Sequence, residues 1–334
     1  MSLLRVENLS IEFPGLYGDI RVVDNFSLQM APGEVHGLVG ESGSGKSLAA
    51  LAVLGLLDPV ATRWRCDHLS LNDKDLLRVS AGERRRWQAK YASVIFQDAQ
   101  SSLNPSFTIG AQLDEVIKLH HGGGRAERRE RAADLLHQVG IHNIAPALAS
   151  YPHQFSIGMN QRAMIALALA CEPALLIADE PTTGLDVTIQ AQLLELLLKL
   201  NAERGMGLLL ITHDIALLAR NVQRITVMYC GQVVESGDAD DVFLQPLHPY
   251  THSLLDSLPK LDQPHRRLVA LRGAKPSMLN LPVGCYFGPR CPRAARECVH
   301  SVPMSDDAQH RYRCLFPLGA SHDASDANKP GNKR

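Results

Sequence analysis

One glycine-rich segment, residues 40–47, constrains the fold of this chain more than any other feature. It reads Gly-Glu-Ser-Gly-Ser-Gly-Lys-Ser and matches the pattern G-x-x-x-x-G-K-[S/T]. The segment follows a short apolar stretch at residues 35–39, which predicts a strand, and it opens an apolar-periodic stretch at residues 46–57, which predicts a helix. A strand, a tight loop and a helix in this order indicate a phosphate-binding loop in an α/β fold.

The residue types of this loop suit contact with phosphate groups. Glycines let the backbone approach a phosphate closely, and the exposed N–H groups at the start of the helix attract negative charge. Lys46 is predicted to reach the β- and γ-phosphates, and the Ser47 hydroxyl is a candidate ligand for Mg²⁺. The predicted nucleotide-binding residues of the loop are Gly40, Ser42, Gly43, Ser44, Gly45, Lys46 and Ser47.

Two adjacent carboxylates follow a second apolar stretch, residues 175–178. By themselves, Asp179 and Glu180 would be typical of an ordinary solvated pair. Downstream of a phosphate-binding loop, an apolar strand that ends in two acids predicts that Asp179 holds the Mg²⁺ shell. Glu180 is then the residue that orients or deprotonates the attacking water.

The remaining patterns predict an α/β protein with several parts. Residues 4–7, 11–13 and 26–30 alternate polar and apolar side chains and predict an antiparallel β lobe. Helical periodicity and charge mark residues 80–162, and strands alternate with helices beyond them, which is typical of a mostly parallel sheet. A proline-rich stretch at residues 246–282 marks the entry into a smaller module. The predicted domains are an ATPase domain at residues 1–245 with a helical subdomain at about 98–162, a C-terminal extension at 246–318 and a disordered tail at 319–334.

Composition and charge exclude several classes of protein. Of 334 residues, 45% are hydrophobic and 21% are charged, which excludes disorder over most of the chain. Lys and Arg number 34 against 35 Asp and Glu, so the chain lacks the basic excess of a nucleic-acid-binding protein. The longest apolar run, residues 163–171, is far shorter than the roughly 20 residues that span a bilayer. With no export signal in the first residues, we expect the protein in the cytoplasm.

Four of the seven cysteines lie close together near the end of the chain: Cys285, Cys291, Cys298 and Cys314. In a cytosolic protein such a cluster predicts metal binding before disulfides. Four thiolates are enough for tetrahedral Zn²⁺ or for an iron–sulfur cluster, and the wide spacing does not favour zinc as close C-x₂-C pairs would. Free or disulfide-bonded structural cysteines are the alternative.

Four further motifs follow one another in a fixed order. Gln97 ends Val-Ile-Phe-Gln, Ser156 and Gly158 lie in Phe-Ser-Ile-Gly-Met-Asn-Gln-Arg, Asp186 ends Thr-Gly-Leu-Asp, and His213 follows Ile-Thr. Together with the phosphate-binding loop and the acidic pair, this set resembles the ATP-binding subunits of ABC transporters. In that family the four motifs are the Q-loop, the signature, the D-loop and the switch histidine.

This resemblance implies a role for each matched residue. Gln97 and His213 join Glu180 as catalytic residues, and Gln97 also joins Ser47 and Asp179 around Mg²⁺. An aromatic residue after the first strands stacks on the adenine. The implied nucleotide contacts outside the phosphate-binding loop are Phe13, with Tyr17 as the alternative, and Gln97, Asp179, Ser156, Gly158 and Asp186.

The resemblance narrows to the dipeptide and oligopeptide permease branch and covers roughly residues 1–318. It rests on Asp-Glu-Pro-Thr-Thr-Gly-Leu-Asp-Val-Thr-Ile-Gln at residues 179–190, on His-Pro-Tyr-Thr at residues 248–251 and on the four cysteines. It implies peptide import, ATP and Mg²⁺ as cofactors, and a 4Fe-4S cluster ahead of zinc. The implied partners are a second ABC ATPase subunit in a heterodimer, two transmembrane permease subunits and, indirectly, an extracytoplasmic peptide-binding protein. The chain would then lie at the cytoplasmic face of the inner cell membrane, with no nucleic acid bound.

The signature departs from the usual family pattern, which is Leu-Ser-Gly-Gly-Gln or Leu-Ser-Gly-Gly-Met. Phe155 replaces the leucine and Ile157 replaces the first glycine. A β-branched side chain at Ile157 restricts the backbone and its approach to phosphate, which would weaken the composite site that this signature serves. In the alternative interpretation Ile157 points away and only its N–H matters.

Three other functions stay open on the sequence. They are the ATPase of a related antimicrobial-peptide uptake system, a soluble ABC-type ATPase that acts on DNA or ribosomes, and a regulatory ATP-binding subunit with little turnover. The second class usually carries two cassettes or a long coiled-coil insertion, and the sequence shows neither. Glu180 and His213 argue against a silent subunit.

Overall fold

The structure, a computed structural model, describes residues 2–15, 18–258, 271, 273–305, 307 and 309–319, with the backbone alone at residues 99 and 100. Tyr17 and residues 320–334 of the predicted tail lie outside the described residues. The strands are β1 (Leu4–Phe13), β2 (Ile20–Met30), β3 (Val35–Val39), β4 (Arg63–Arg65), β5 (His68–Leu71), β6 (Lys74–Asp75), β7 (Ala92–Ile95), β8 (Leu175–Asp179), β9 (Gly207–Thr212), β10 (Arg224–Tyr229), β11 (Gln232–Asp238) and β12 (His310–Tyr312). The α-helices are α1 (Lys46–Val53), α2 (Ala81–Tyr91), α3 (Ala99–Ser102), α4 (Ile109–His121), α5 (Arg125–Gln138), α6 (Ile144–Ala149), α7 (Ile157–Leu169), α8 (Val187–Arg204), α9 (Ile215–Leu218), α10 (Ala239–Leu244) and α11 (Pro249–Asp256). Short 3₁₀ helices lie at Pro152–Gln154, Gly288–Arg290 and Arg296–Val299.

A five-stranded antiparallel sheet forms one layer, in the order β2-β1-β5-β6 with β4 also paired to β1. At the start of β1, Leu4 is buried and Arg5 is exposed, as expected for a strand with one face in the core. The predicted antiparallel lobe is therefore confirmed. The prediction of two separate strands at residues 4–7 and 11–13 is wrong, because Asn8 adopts a left-handed backbone (φ 52°) at a register shift and β1 continues through it.

A seven-stranded sheet forms the main layer, in the order β12-β11-β10-β3-β9-β8-β7. The strands from β10 to β7 in this order are parallel, and every residue of β3 and β9 is buried. One face packs in a cluster with the antiparallel sheet and α1, and the other packs against helices, so both faces are buried and the strands are continuous apolar runs. The carboxyl ends of β3, β9 and β8 lie side by side, and the loops that follow them meet at one edge of the sheet. The predicted, mostly parallel α/β core is confirmed.

Helices dominate the segment between β7 and β8. Leu113 of α4, Leu136 of α5 and Ile165 of α7 are fully buried in one apolar cluster that also includes residues of the main sheet. Helix α1 ends at Val53 rather than at the predicted residue 57, because Gly55 takes a left-handed backbone (φ 68°) that stops the helix. In the described part of the chain, no helix is long and apolar enough to cross a membrane.

The C-terminal extension packs directly onto the main sheet. Its strand β12 pairs antiparallel with β11, and Phe287 packs against Tyr229 and Tyr250 with ring centroids 5.3 and 5.4 Å apart. The buried carboxylate of Glu235 on β11 accepts two backbone N–H groups at the start of the extension and pairs with His310 of β12 at 2.7 Å. The extension and the sheet therefore share one core. The boundaries of the predicted domains stay predictions.

Candidate active site

The phosphate-binding loop, residues 40–47, joins β3 to α1 at the carboxyl edge of the main sheet. A side chain at Gly40 would overlap the carbonyl oxygen of Met228. At Gly45, where φ is 99°, a Cβ atom would lie 2.8 Å from the carbonyl oxygen of Val22. Only glycine fits these two positions, so the backbone of the loop lies directly against the strands beside it.

Lys46 folds back over the loop from the first turn of α1. It is 4% exposed, and its Nζ donates to the carbonyl oxygens of Gly40 at 2.7 Å and Glu41 at 3.1 Å. Burial lowers the pKa of Lys46 to about 8, although nearby carboxylates act in the opposite direction. A buried ammonium is stabilised by an anion beside it, so the site favours a phosphate group.

Ser47 and Asp179 form the second contact of the site. The Ser47 hydroxyl donates to Oδ1 of Asp179 at 3.0 Å, which joins α1 to the end of β8. Burial raises the pKa of Asp179, and this hydrogen bond partly opposes the effect. A hydroxyl and a carboxylate oxygen at this distance are hard oxygen donors of the kind that Mg²⁺ prefers. The donor set therefore fits the predicted magnesium ion.

Three side chains converge on one oxygen of Glu180, its Oε2. Gln97 donates from Nε2 at 3.2 Å, Thr183 donates from its hydroxyl at 2.9 Å, and Nδ1 of His213 lies 3.3 Å away. Glu180 has φ 47°, which is uncommon for a residue other than glycine, and its N–H donates to the carbonyl oxygen of Ile211 at 2.8 Å. Such a backbone persists only where its surroundings hold it. The structure thus brings together the three residues that were predicted to be catalytic.

Two residues of this arrangement were not predicted from the sequence. Thr183 lies three positions after Glu180, and its place as the first residue of the Thr-Gly-Leu-Asp motif was the available signal. Gln161 of α7 is 3% exposed and donates from Nε2 to the carbonyl oxygen of Pro181 at 2.7 Å. For Gln161 the signal was weaker, namely a glutamine two residues before the apolar run 163–171. This bond ties the signature helix to the turn that follows Glu180.

The signature residues lie at exposed helix starts. Ser156 caps α7 by accepting a backbone N–H of the first turn, and Ile157, the next residue, is 52% exposed. A side chain at Gly158 would lie 3.6 Å from Ile189 of α8, and Asp186 caps α8. Within the described residues, no hydrogen bond or ion pair joins Ser156, Gly158 or Asp186 to the phosphate-binding loop.

Phe13 is the last residue of β1 and packs, half-buried, against the apolar cluster of the antiparallel lobe. Its predicted stacking on adenine stays a prediction. The alternative, Tyr17, lies outside the described residues.

The four C-terminal cysteines are free thiols that line one small cavity, together with residues that include His248 and Phe287. Burial raises the pKa of Cys285, Cys291 and Cys314, in the last case to about 11. Across the described part of the chain, no group of three or more His, Cys, Asp or Glu side chains is arranged to hold a metal ion. The four thiols therefore line the same cavity, but their arrangement does not support the predicted metal site.

Comparison with known proteins identifies the family. Residues 23–183 match the family model for ABC transporters, and residues 234–298 match the model described as oligopeptide/dipeptide transporter, C-terminal region. The chain is 49% identical to the dipeptide transport ATP-binding protein DppD of Escherichia coli (strain K12), with 99% of both chains covered. It is 45% identical to the oligopeptide transport ATP-binding protein AppD of Bacillus subtilis (strain 168), with 94% of this chain and 97% of that protein covered.

A solved structure confirms the predicted ABC-type fold. The dimeric structure of MJ0796, a bacterial ABC transporter cassette, matches 71% of this chain and 98% of its own with a TM-score of 0.63 and 27% sequence identity. The chain belongs to the family of ABC transporter ATP-binding proteins that carry the oligopeptide/dipeptide transporter C-terminal region.

Proposed function

We propose that this chain is the ATP-hydrolysing subunit that energises an ABC importer for dipeptides or oligopeptides. ATP hydrolysis is supported by one observation: the carboxylate of Glu180, the residue after Asp179, is contacted by Gln97 and His213. The match over residues 234–298 and the relatives named for dipeptide and oligopeptide transport support peptides as the cargo. The same match argues against an ATPase that acts on DNA or ribosomes.

In the proposed reaction, the phosphate-binding loop and Lys46 hold the β- and γ-phosphates of ATP. The backbone between Gly40 and Gly45 offers N–H groups to the phosphates. Lys46 offers an ammonium group whose charged form burial disfavours and a nearby phosphate would stabilise. Ser47 and Asp179 would hold Mg²⁺, with Gln97 as the third ligand. Bound there, the ion would neutralise charge on the phosphate oxygens.

Glu180 orients a water molecule for attack on the γ-phosphorus and accepts its proton. The new bond forms between the water oxygen and phosphorus, and the bond between phosphorus and the bridging oxygen of ADP breaks. The contacts from Gln97, Thr183 and His213 all use Oε2, so the proposal assigns the water to Oε1. Fixing the carboxylate in this way contributes to the rate through orientation.

A second ATPase subunit completes each nucleotide site in this proposal. Ser156, Gly158 and Asp186 lie at exposed helix starts, and they would contact the nucleotide of the partner. The similar cassette of known structure is a dimer, which supports this pairing. Because Ile157 alters the signature, we propose a heterodimer with unequal sites. Two transmembrane permease subunits and an extracytoplasmic peptide-binding protein complete the transporter, with this chain at the cytoplasmic face of the inner membrane.

For the C-terminal cysteines we propose a 4Fe-4S cluster, with zinc as the alternative. The proposal rests on four thiols, those of Cys285, Cys291, Cys298 and Cys314, which line one cavity and equal in number the ligands of such a cluster. When bound, the cluster would cross-link the extension or carry an electron. The thiols would release their protons on binding.

The transport assignment is tested with the complete transporter in proteoliposomes. The chain is purified with its permease subunits and partner ATPase, and uptake of a labelled dipeptide is measured with its binding protein and ATP. We expect uptake that requires ATP and is lost in Lys46→Ala, and we expect hydrolysis that a dipeptide stimulates but a free amino acid does not. ATP hydrolysis without peptide-dependent uptake would overturn the importer assignment and leave the ATPase assignment in place.

A further inference from the structure

Three side chains of the C-terminal extension contact the phosphate-binding loop, although more than 200 residues separate them from it in sequence. The guanidinium of Arg290 forms a two-pronged pair with the Glu41 carboxylate, from Nη1 to Oε2 at 2.9 Å and from Nη2 to Oε1 at 3.1 Å. The N–H of Glu41 donates to the Tyr250 hydroxyl at 3.0 Å. Lys275 donates from Nζ to the carbonyl oxygen of Ser42 at 2.8 Å. The extension therefore holds two consecutive residues of the loop.

The contacts of Arg290 and Tyr250 with Glu41 are partly buried, whereas the Lys275 contact with Ser42 is exposed. The Arg290 side chain is 5% exposed, and Tyr250 is fully buried. Arg290 also donates to the Tyr229 hydroxyl at 3.2 Å, and Phe287 packs against both tyrosine rings. Ion pairs on the exposed surface contribute little to stability. A two-pronged pair that is largely shielded from water also fixes the orientation of the two side chains. Burial by itself would lower the pKa of Arg290, but the hydrogen bonds to Glu41 and Tyr229 outweigh it, so the pKa is raised.

Glu41 links the extension to the lysine of the loop. Its carbonyl oxygen accepts from Lys46 Nζ at 3.1 Å, its N–H is held by Tyr250, and its carboxylate is held by Arg290. The N–H and the carbonyl group of one residue are thus both held, the first by the extension and the second by Lys46 of the same loop. Both carboxylate oxygens of Glu41 bond to Arg290, so this side chain acts through the loop rather than on a ligand.

A phosphate-binding loop gains affinity when it is already ordered. Each residue that must be immobilised on binding reduces the affinity, and contacts that order it beforehand remove that cost. Here the ordering contacts come from the extension and belong to the ground state of the protein. They are expected to act on nucleotide binding and not on the chemical step, because none of them touches Glu180.

We propose that Arg290 and Tyr250 are positioning residues for ATP: through Glu41 they hold the phosphate-binding loop in the conformation that accepts the phosphates. The C-terminal extension thereby sets the ATP affinity of the cassette. This inference rests on the nucleotide-binding role proposed above for residues 40–47.

The test is a double-mutant cycle on the full-length chain, with the Kd for Mg-ATP measured by calorimetry and KM and kcat measured in the assembled transporter. We expect Arg290→Gln and Glu41→Gln each to raise Kd and KM about tenfold, which corresponds to about 1.4 kcal/mol, with kcat unchanged at saturating ATP. The double variant should be no worse than either single variant, because one interaction is lost in all three. Tyr250→Phe keeps the buried ring and removes only the acceptor hydroxyl, so it should raise Kd severalfold.

Arg128→Gln is the matched control. Arg128 makes a similar two-pronged pair with Asp114, at 2.7 and 3.3 Å, in the helical part of the chain. Its loss should lower the melting temperature without changing the Kd for ATP. Iron and zinc content are measured on every variant, so that a loss of bound metal is recognised as a separate effect.

Several outcomes would overturn the inference. An unchanged KM in Arg290→Gln, additive effects of the two charge variants, or a fall in kcat at constant KM would each contradict a positioning role. If Arg290→Gln does not fold, an unchanged Kd in Tyr250→Phe is sufficient to reject it. A wild-type chain that does not bind ATP would contradict the proposed function as well, whereas normal wild-type binding with normal variants contradicts the positioning role alone.

Discussion

The side chain of Gln97 donates a hydrogen bond from Nε2 to Oε2 of Glu180 at 3.2 Å. Gln97 follows β7 and Glu180 follows β8, and these strands are parallel neighbours in the main sheet. The bond joins the entry of the helical segment to the carboxylate proposed to activate water.

Replacing Glu180 with Gln tests its proposed role as the acceptor of the water proton. The substituted amide keeps the size of the side chain but lacks the basic oxygen, so hydrolysis should fall by a factor of about 10² to 10⁴ while ATP still binds. Phosphate release and ATP-dependent dimerisation by size-exclusion chromatography measure the two effects. Glu203→Gln, an exposed acid on α8, is the control and should retain wild-type turnover. Normal hydrolysis in Glu180→Gln would reject the assignment.

The hydroxyl of Thr183 is expected to hold the Glu180 carboxylate in place. Thr183→Val keeps the shape of the side chain and removes the 2.9 Å hydrogen bond, which is worth about 1 kcal/mol. We expect kcat to fall about fivefold with little change in KM for ATP, and Thr183→Ser to restore it. Equal rates in the valine and serine variants would show that the hydroxyl has no part in turnover.

Reverting Ile157 to Gly tests whether the altered signature weakens one composite site. Ile157 is 52% exposed at the start of α7, so the change removes no core packing. We expect higher ATPase activity only when the partner subunit is present, because a signature acts on the nucleotide of the other chain. Activity is measured for the chain alone and for the assembled pair. No rise in the pair would favour the interpretation in which only the N–H of this residue matters, and a rise in the isolated chain would contradict an effect that needs the partner.

The cysteine cavity is tested by metal analysis. Cys291→Ser should lose the bound metal while the ATPase core still folds, because one of four ligands is removed. Cys66→Ser is the matched control, since Cys66 is a free cysteine outside the cavity. Anaerobic purification followed by iron, sulfide and zinc analysis distinguishes the candidates, with about four irons expected for the cluster. Unchanged metal content in Cys291→Ser would remove this site.

Stability should depend on pH through the buried His36 of β3. Its ring contacts Glu34 and Thr226 at 2.9 Å each, and burial lowers its pKa below the ordinary value of 6.5. The folded state then binds fewer protons than the unfolded state below about pH 6.5, so the free energy of unfolding should decrease as the pH falls through that range.

Urea denaturation at a series of pH values measures this dependence. His36→Gln should weaken it, because glutamine can keep hydrogen bonds without titrating. The exposed His142→Gln is the control and should leave the dependence unchanged. An identical pH dependence in wild type and His36→Gln would contradict the prediction.

The sequence by itself determined the parts of this protein that depend on local spacing. Glycines at positions 40, 43 and 45 between an apolar strand and a helix predict a tight phosphate-binding loop. The apolar runs of β3 and β9 predict buried parallel strands. The catalytic roles of Glu180, Gln97 and His213 stay predictions: Glu180 was chosen because it follows an apolar strand, and Gln97 and His213 because of the ordered set of motifs. The fold class followed from the alternation of these elements.

Only the tertiary structure decided the contacts between distant segments. Gln97 and His213 meet at one oxygen of Glu180, and Arg290 reaches Glu41 across 249 residues of sequence. No pattern of neighbouring residues encodes such pairs, because they arise when packed layers bring separate loops to the same edge of a sheet. The continuation of β1 through Asn8 and the convergence of four thiols on one cavity have the same origin. Local spacing fixes what each segment becomes, whereas long-range packing selects which side chains finally touch.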